Sequence, residues 1–154
     1  MLKSEFKEGE EMNIRNVSVE DAKLLYEWRN EEYVRVQSLN SEPLEWDAHQ
    51  LWLEQTLRNA EIIIRIVEIQ AQPIGMFRLN RVTDHDVHIS IIVAPAFRGQ
   101  GLGTQIIDCA SAACREFFGS VTLHAEIKID NLPSQKAFLK AGYRVIAYRL
   151  ELDS

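Results

Sequence analysis

Ile89-Ser-Ile-Ile-Val-Ala-Pro95, then Arg98-Gly99-Gln100-Gly101-Leu102-Gly103 and Thr104 at the head of an amphipathic run, decides the fold of this chain. A β-branched run, a short glycine-rich turn and a helix start together make a cradle for an anion. Backbone N–H groups of such a turn and of the first helical turn lack carbonyl partners, and the helix dipole adds partial positive charge there. Gly101 and Gly103 lack the Cβ atoms that would hold a phosphate off the backbone. Two commoner phosphate loops are excluded. No Gly-Lys-Ser/Thr follows, and Arg98 stands where the dinucleotide fingerprint has its first glycine.

A second segment, Asn131-Leu-Pro-Ser134-Gln-Lys136-Ala-Phe138-Leu-Lys-Ala-Gly142-Tyr143, follows a β-rich run from Val121 to Ile127 and begins 30 residues after Gly101. Together the two segments resemble the GCN5-related N-acetyltransferase (GNAT) family, in which Arg/Gln-x-x-Gly-x-Gly/Ala binds the pyrophosphate of acetyl-CoA and Asn-x-x-Ser…Gly-Phe/Tyr marks a later helix. The resemblance runs over roughly residues 13 to 152. It implies an α/β (α+β) GNAT fold: a mixed central sheet of about six to seven strands flanked by about four helices, splayed between strands four and five.

Composition agrees with one such domain. The chain has 154 residues, 46 % of them hydrophobic and 26 % charged, enough for a core of its own. We expect a flexible tail over residues 1–11, with Met12 as an alternative start, and a single domain over 12–154. No apolar run approaches the length of a membrane span and the N-terminus lacks a signal-peptide core, so a cytoplasmic location is expected, with no membrane partner. The net charge is −6. Residues 1–11 carry two lysines against four glutamates, which leaves the body near −4 and argues against a nucleic-acid partner. Cys109 and Cys114 fall in one helix, over ~7 Å apart, too far for a disulfide.

The remaining elements follow from periodicity. Met12 to Val17 reads as a strand; Ser18, with Asp21 three residues on, opens a helix. Residues 31–44 read as a linking segment without period. Trp46, His49, Leu53 and Leu57 share one face of a helix from about Leu44 to Arg58. Glu61–Gln70 and Ile74–Val82 make a hairpin with Gln72-Pro73 as its turn, and Val87–Val93 is the next strand. A helix to Phe118, a strand over 121–127, a helix over 132–141 and a last strand over 143–152 finish the chain.

The resemblance assigns Ile91, Ile92 and Val93, Arg98 to Thr104, Asn131 and Ser134 to the cofactor. The backbone of Ile91 to Val93 would pair with the pantetheine arm as an added strand, and N–H groups near Ile92 or Val93 would meet the thioester carbonyl and its oxyanion. Asn131 reads either as a hydrogen-bond partner of that arm or as a helix N-cap. His88 stands where many relatives have a glutamate near the acceptor amine. An imidazole titrates near physiological pH and suits proton removal there, the alternative being an exposed strand histidine. Phe138 replaces the tyrosine that protonates the departing thiolate in many relatives. At neutral pH the thiol can leave as thiolate for about 2 kcal/mol, and Tyr143 and Tyr148 are possible substitutes. No metal is expected, although Asp84-His85-Asp86-Val87-His88 superficially resembles a metal cluster.

Trp28-Arg29-Asn30 and Trp46-Asp-Ala-His49 resemble the N-terminal half of the amino-sugar-nucleotide N-acetyltransferases of pseudaminic-acid-type biosynthesis. Asp47-Ala48 departs from the Glu-Glu that precedes the histidine in those relatives. Arg29, Asn30, Arg35, Trp46 and His49 are therefore candidate acceptor contacts. The arginines suit a nucleotide diphosphate, and Trp46, Trp52 or Tyr33 suit a base or sugar. The reading is an acetyl-CoA-dependent N-acetyltransferase acting by direct attack of a small-molecule amine, favoured as the 4-amino group of a nucleotide-linked deoxy sugar. A protein N-terminal or other small amine, and a CoA-binding module without turnover, are the alternatives. The chain is expected to be a monomer or homodimer.

Overall fold

In the computed structural model, residues 10–153 are described; most of the expected N-terminal tail lies outside them. Strands β1 (Met12–Asn16), β2 (Ile62–Ile69), β3 (Gln72–Arg81) and β4 (Asp86–Val93) form an antiparallel meander. Strand β5 (Thr122–His124) adds parallel to β4, giving the order β1-β2-β3-β4-β5. Helices α1 (Ala22–Asn30), α2 (Glu32–Gln37) and α3 (Trp46–Arg58) lie between β1 and β2, α4 (Leu102–Phe118) between β4 and β5, and α5 (Leu132–Lys140) after β5. The mixed α/β architecture agrees with expectation.

Both faces of the sheet are covered, and for that reason β2 reads as an almost continuous apolar run, Ile62-Ile-Ile-Arg-Ile-Val-Glu-Ile69. Helix α4 packs over β3 and β4 on one face, burying Ile106, Ile107 and Ala110. Gly75 is required there: a Cβ would meet the Ile92 carbonyl oxygen at 2.5 Å and Ile106 Cδ1 at 2.7 Å. Helices α1 and α3 cover the other face with Leu25, Trp28 and Leu53. Asp21 accepts the Ser18 N–H at 2.9 Å, as the expected cap requires, but on a 3-10 turn (Val19–Asp21) that precedes α1. Cys109 and Cys114 are free thiols.

Four expectations are corrected. The hairpin turn is Gln70-Ala71, at φ 52° and 62°, and Gln72 and Pro73 begin β3. A two-residue hairpin of this type needs consecutive left-handed residues, which proline's fixed φ cannot supply. Residues 31–44 contain α2, which buries no residue and so had no apolar period to read. β5 is three residues long rather than seven, because its ladder with β4 ends at the pair His88–His124. The expected strand over 143–152 has no regular structure; Tyr148 is 81 % and Leu152 95 % exposed. Its alternating pattern finds no neighbouring strand among the described residues, and β-propensity acts only through such a neighbour. The sheet thus has five strands where six to seven were expected.

Candidate active site

Beyond the pair His88–His124 the sheet opens: β4 continues to Val93 paired with β3 alone. The gap widens into a cavity of about 890 Å³, bounded by Ile91 to Val93, the glycine turn, α5, Arg29 of α1, α2 and Trp52 of α3. Gly99 and Gly101 have φ of 77° and 75°, a left-handed conformation that favours glycine, and no atom lies within 4 Å of where either Cβ would stand. The N–H groups of Leu102, Gly103 and Thr104 open α4, where the helix itself offers them no carbonyl. The start of this 17-residue helix therefore presents backbone donors toward the cavity that Gly101 to Thr104 line. A phosphorylated, amide-bearing thioester fits these donors and the open edge of β4.

The side chains of the loop are less free than the backbone. Both terminal guanidinium nitrogens of Arg98 donate to the Glu31 carboxylate, at 2.6 and 2.7 Å, and its guanidinium carbon lies 4.2 Å from the centre of the Tyr33 ring. Gln100 does not line the cavity; Leu102, Gly103, Thr104 and Ser134 do. Asn131 is buried, and its side-chain carbonyl accepts the Ser134 N–H at 3.3 Å as the N-cap of α5. Its amide N–H groups are the part left to reach the cavity. Phe138 packs edge-to-face on Tyr143 at 4.9 Å, and the Tyr143 hydroxyl sits 3.4 Å from Ser111 on α4. Burial pushes the Tyr143 hydroxyl above its usual range. Neither Tyr143 nor Tyr148 lines the cavity.

His88 lines the cavity from the last position of β4 that is paired with β5, opposite Asn80 on β3. The parallel register sets His124 beside it, with ring centres 5.8 Å apart. His124 Nε2 donates to Asp86 Oδ1 at 2.7 Å, and Thr83 donates to the other oxygen at 2.6 Å. The Thr83 hydroxyl first and His124 second hold the Asp86 carboxyl below its usual range. No signal within the sequence pointed to His124: its place depends on the β4–β5 register. Among the described residues, no three histidine, cysteine or carboxylate groups are disposed for a metal ion.

The acceptor candidates separate. Arg29 lines the cavity, its guanidinium carbon 3.7 Å from the centre of the Trp52 ring. Arg35 touches the cavity, but it donates to the carbonyls of Asn30 at 3.0 Å and Ser41 at 3.3 Å. The Asn30 side chain accepts the Leu44 N–H at 2.8 Å, so this pair shapes the 30–44 segment. Trp46 packs edge-on against Tyr26 outside the cavity. His49, expected to face the acceptor, is 2 % exposed; its Nε2 donates to the Ala22 carbonyl at 2.8 Å and its Nδ1 accepts from Arg29 at 3.0 Å. Burial holds its pKa below the usual histidine value. Two residues that sequence reasoning had not placed there, Trp52's neighbour Arg78 and His124, complete the lining.

The chain is similar to several solved acetyltransferases at the level of fold. A spermidine N-acetyltransferase from Vibrio cholerae, in complex with CoA and spermine, superposes with a TM-score of 0.78 at 16 % identity, over 85 % of this chain and 79 % of that one. The aminoglycoside acetyltransferase AAC(6')-Ib with coenzyme A gives 0.75 at 18 %, over 87 % and 84 %. A domain from Methanocaldococcus jannaschii gives 0.76 at 21 %, over 88 % and 89 %. No curated protein sequence matches the chain. The profile of the acetyltransferase (GNAT) domain matches residues 11–144, nearly the whole chain, and the glycine turn, the opened β4 edge and the cavity between them lie inside that span. The chain belongs to the GNAT acetyltransferase family and is an N-acetyltransferase that uses acetyl-CoA.

Proposed function

We propose that the chain moves the acetyl group of acetyl-CoA directly onto a primary amine, and that the acceptor is the 4-amino group of a nucleotide-linked deoxy sugar in the cytoplasm. The observation that carries this reading is the charge of the cavity. Six arginine and lysine side chains line it against two glutamates, and with the Glu31 that holds Arg98 counted in, cations still exceed carboxylates, in a chain whose net charge is −6. Phosphate-bearing ligands at both ends account for such a local excess. Bound acetyl-CoA supplies an activated acetyl thioester. The loop N–H groups hold its phosphates, and the backbone edge of Ile91 to Val93 aligns its amide-bearing arm. His88 takes the proton of the incoming ammonium, and His124, fixed by Asp86, stands beside it to pass that proton outward. Trp52 and Tyr33 offer flat surfaces to the acceptor.

A second reading takes another small amine as acceptor. The neighbours bound to spermine and to kanamycin favour it, since both ligands are amines. Release of thiol from acetyl-CoA, measured against amino-sugar nucleotides, peptides and polyamines, separates the readings. Turnover confined to the nucleotides supports the first. Turnover confined to polyamines or peptides replaces it, and no thiol release with any amine points to a binding module without turnover.

A further inference from the structure

Arg29 and Arg78 reach the same indole from two elements, α1 and β3, with guanidinium carbons 3.7 and 5.9 Å from the centre of the Trp52 ring. Both line the cavity. Arg15, Arg81, Arg98 and Arg149 each meet a carboxylate; among the described residues neither Arg29 nor Arg78 does. The Nε of Arg78 is buried with no hydrogen-bond partner. Among the described residues, the hydrogen-bond partner of Arg29 is His49, an acceptor whose other nitrogen is committed to the Ala22 carbonyl. Burial, and secondarily the charge of Arg78, pushes Arg29 down to about 10. Two half-buried like charges without a counter-ion are unfavourable in the free protein, and buried donors without acceptors are rare. Among the described residues, no carboxylate is paired with either of them.

The sheet register relates this pair to the candidate base. Arg78 pairs with Ser90 and Asn80 with His88, so Arg78 is one diagonal step from His88, about 7–8 Å along the same face. We infer that Arg29 and Arg78 form an anion subsite, and that the acceptor is an amine carrying a phosphate or carboxylate group which seats there while its amino group reaches His88. The inference rests on the reading that this cavity takes an acceptor amine, and narrows it: the fork of each guanidinium matches two oxygens, whereas a polyamine meets two like charges. Arg78 thereby takes the place expected of Arg35, whose donors are spent on the backbone.

The test keeps the loop filled. With CoA at saturation, inorganic pyrophosphate is titrated into the protein and the melting temperature is followed. It should rise in the wild type, rise less in Arg78→Lys, and stay flat in Arg78→Met and Arg29→Met. No rise in the wild type, or an equal rise in folded Arg78→Met, overturns the subsite. A second arm compares acetylation of 2-aminoethyl phosphate, 3-aminopropionate, ethanolamine and putrescine. The two anionic amines should exceed ethanolamine at least tenfold in kcat/KM, with putrescine poorest, and Arg78→Met should erase that order while the KM for acetyl-CoA is kept. Equal or better use of putrescine overturns the inference. Pyrophosphate binding without acetylation of any amine upholds the anion site and removes the acceptor reading instead.

Discussion

The two ends of the cavity meet negative charge in opposite ways. At the glycine turn, the donors are neutral backbone N–H groups, and the nearby Arg98 is already held by both oxygens of Glu31. At the proposed acceptor end, Arg29 and Arg78 are half-buried, share Trp52 and, among the described residues, meet no carboxylate. The difference teaches that charge in this cavity is balanced in advance at one end and left open at the other. An anion at the turn gains from oriented dipoles that need little rearrangement. An anion at the arginine pair relieves a cost that the fold otherwise bears.

The largest expected effect lies between the two ends. His88→Ala should lower kcat by about 100-fold, the lower range for a lost general base, with acetyl-CoA affinity unchanged by calorimetry. Wild-type turnover would leave both ends without a reacting centre at His88. Next in size, Gly101→Asp should weaken acetyl-CoA binding by about 30-fold, because the site needs φ of 75° and the new carboxylate faces the phosphates. An unchanged affinity in the folded variant would mean that the turn is not the phosphate end. Glu31→Gln sharpens the comparison further. If Glu31 only competes for Arg98, the variant should bind acetyl-CoA a few fold more tightly, worth about 1 kcal/mol. Weaker binding would show that Glu31 positions Arg98 for the cofactor, and that this end too depends on a held arginine.

The smallest expected effect concerns His49 beneath Arg29. Burial lowers its pKa in the folded chain relative to about 6.5 in the unfolded one. Below that value the unfolded state takes up a proton that the native state refuses, so stability is fully present above pH ~6.5 and falls as the pH drops below it. Urea melts from pH 7.5 to 5.5 should show a shallower loss in His49→Gln than in the wild type. Equal slopes would mean that His49 accommodates a proton and with it a third charge beside Arg29 and Arg78.

The donor end was legible from sequence because it is local. Arg98 to Gly103 is a strand-to-turn-to-helix segment in which neighbouring residues make the site, and glycine identity reports backbone conformation directly. The N-cap that Asn131 makes was one of the two roles open to it, and the opened β4 edge was legible only through the family resemblance. The acceptor end was only half legible. Trp46 and His49 share a helical face with Leu53, but that face serves the core, and a stripe at helical spacing does not say which of its members reach a cavity. The exposed 143–152 segment shows the same limit in a strand, since alternation specifies a face and not a neighbour.

By itself, then, the sequence determined the family, the glycine turn, the order of strands and helices as far as α5 apart from α2, and the proposal of His88 as the base. Tertiary structure alone decided which charges stand unpaired. The β3–β4 register sets Arg78 diagonal to His88, the packing of α1 on α3 lays Arg29 on Trp52, and the short parallel ladder brings His124 and Asp86 together. Each of these pairings joins residues far apart in the chain. Their chemistry depends on distances and burial that only the assembled sheet and its helices impose.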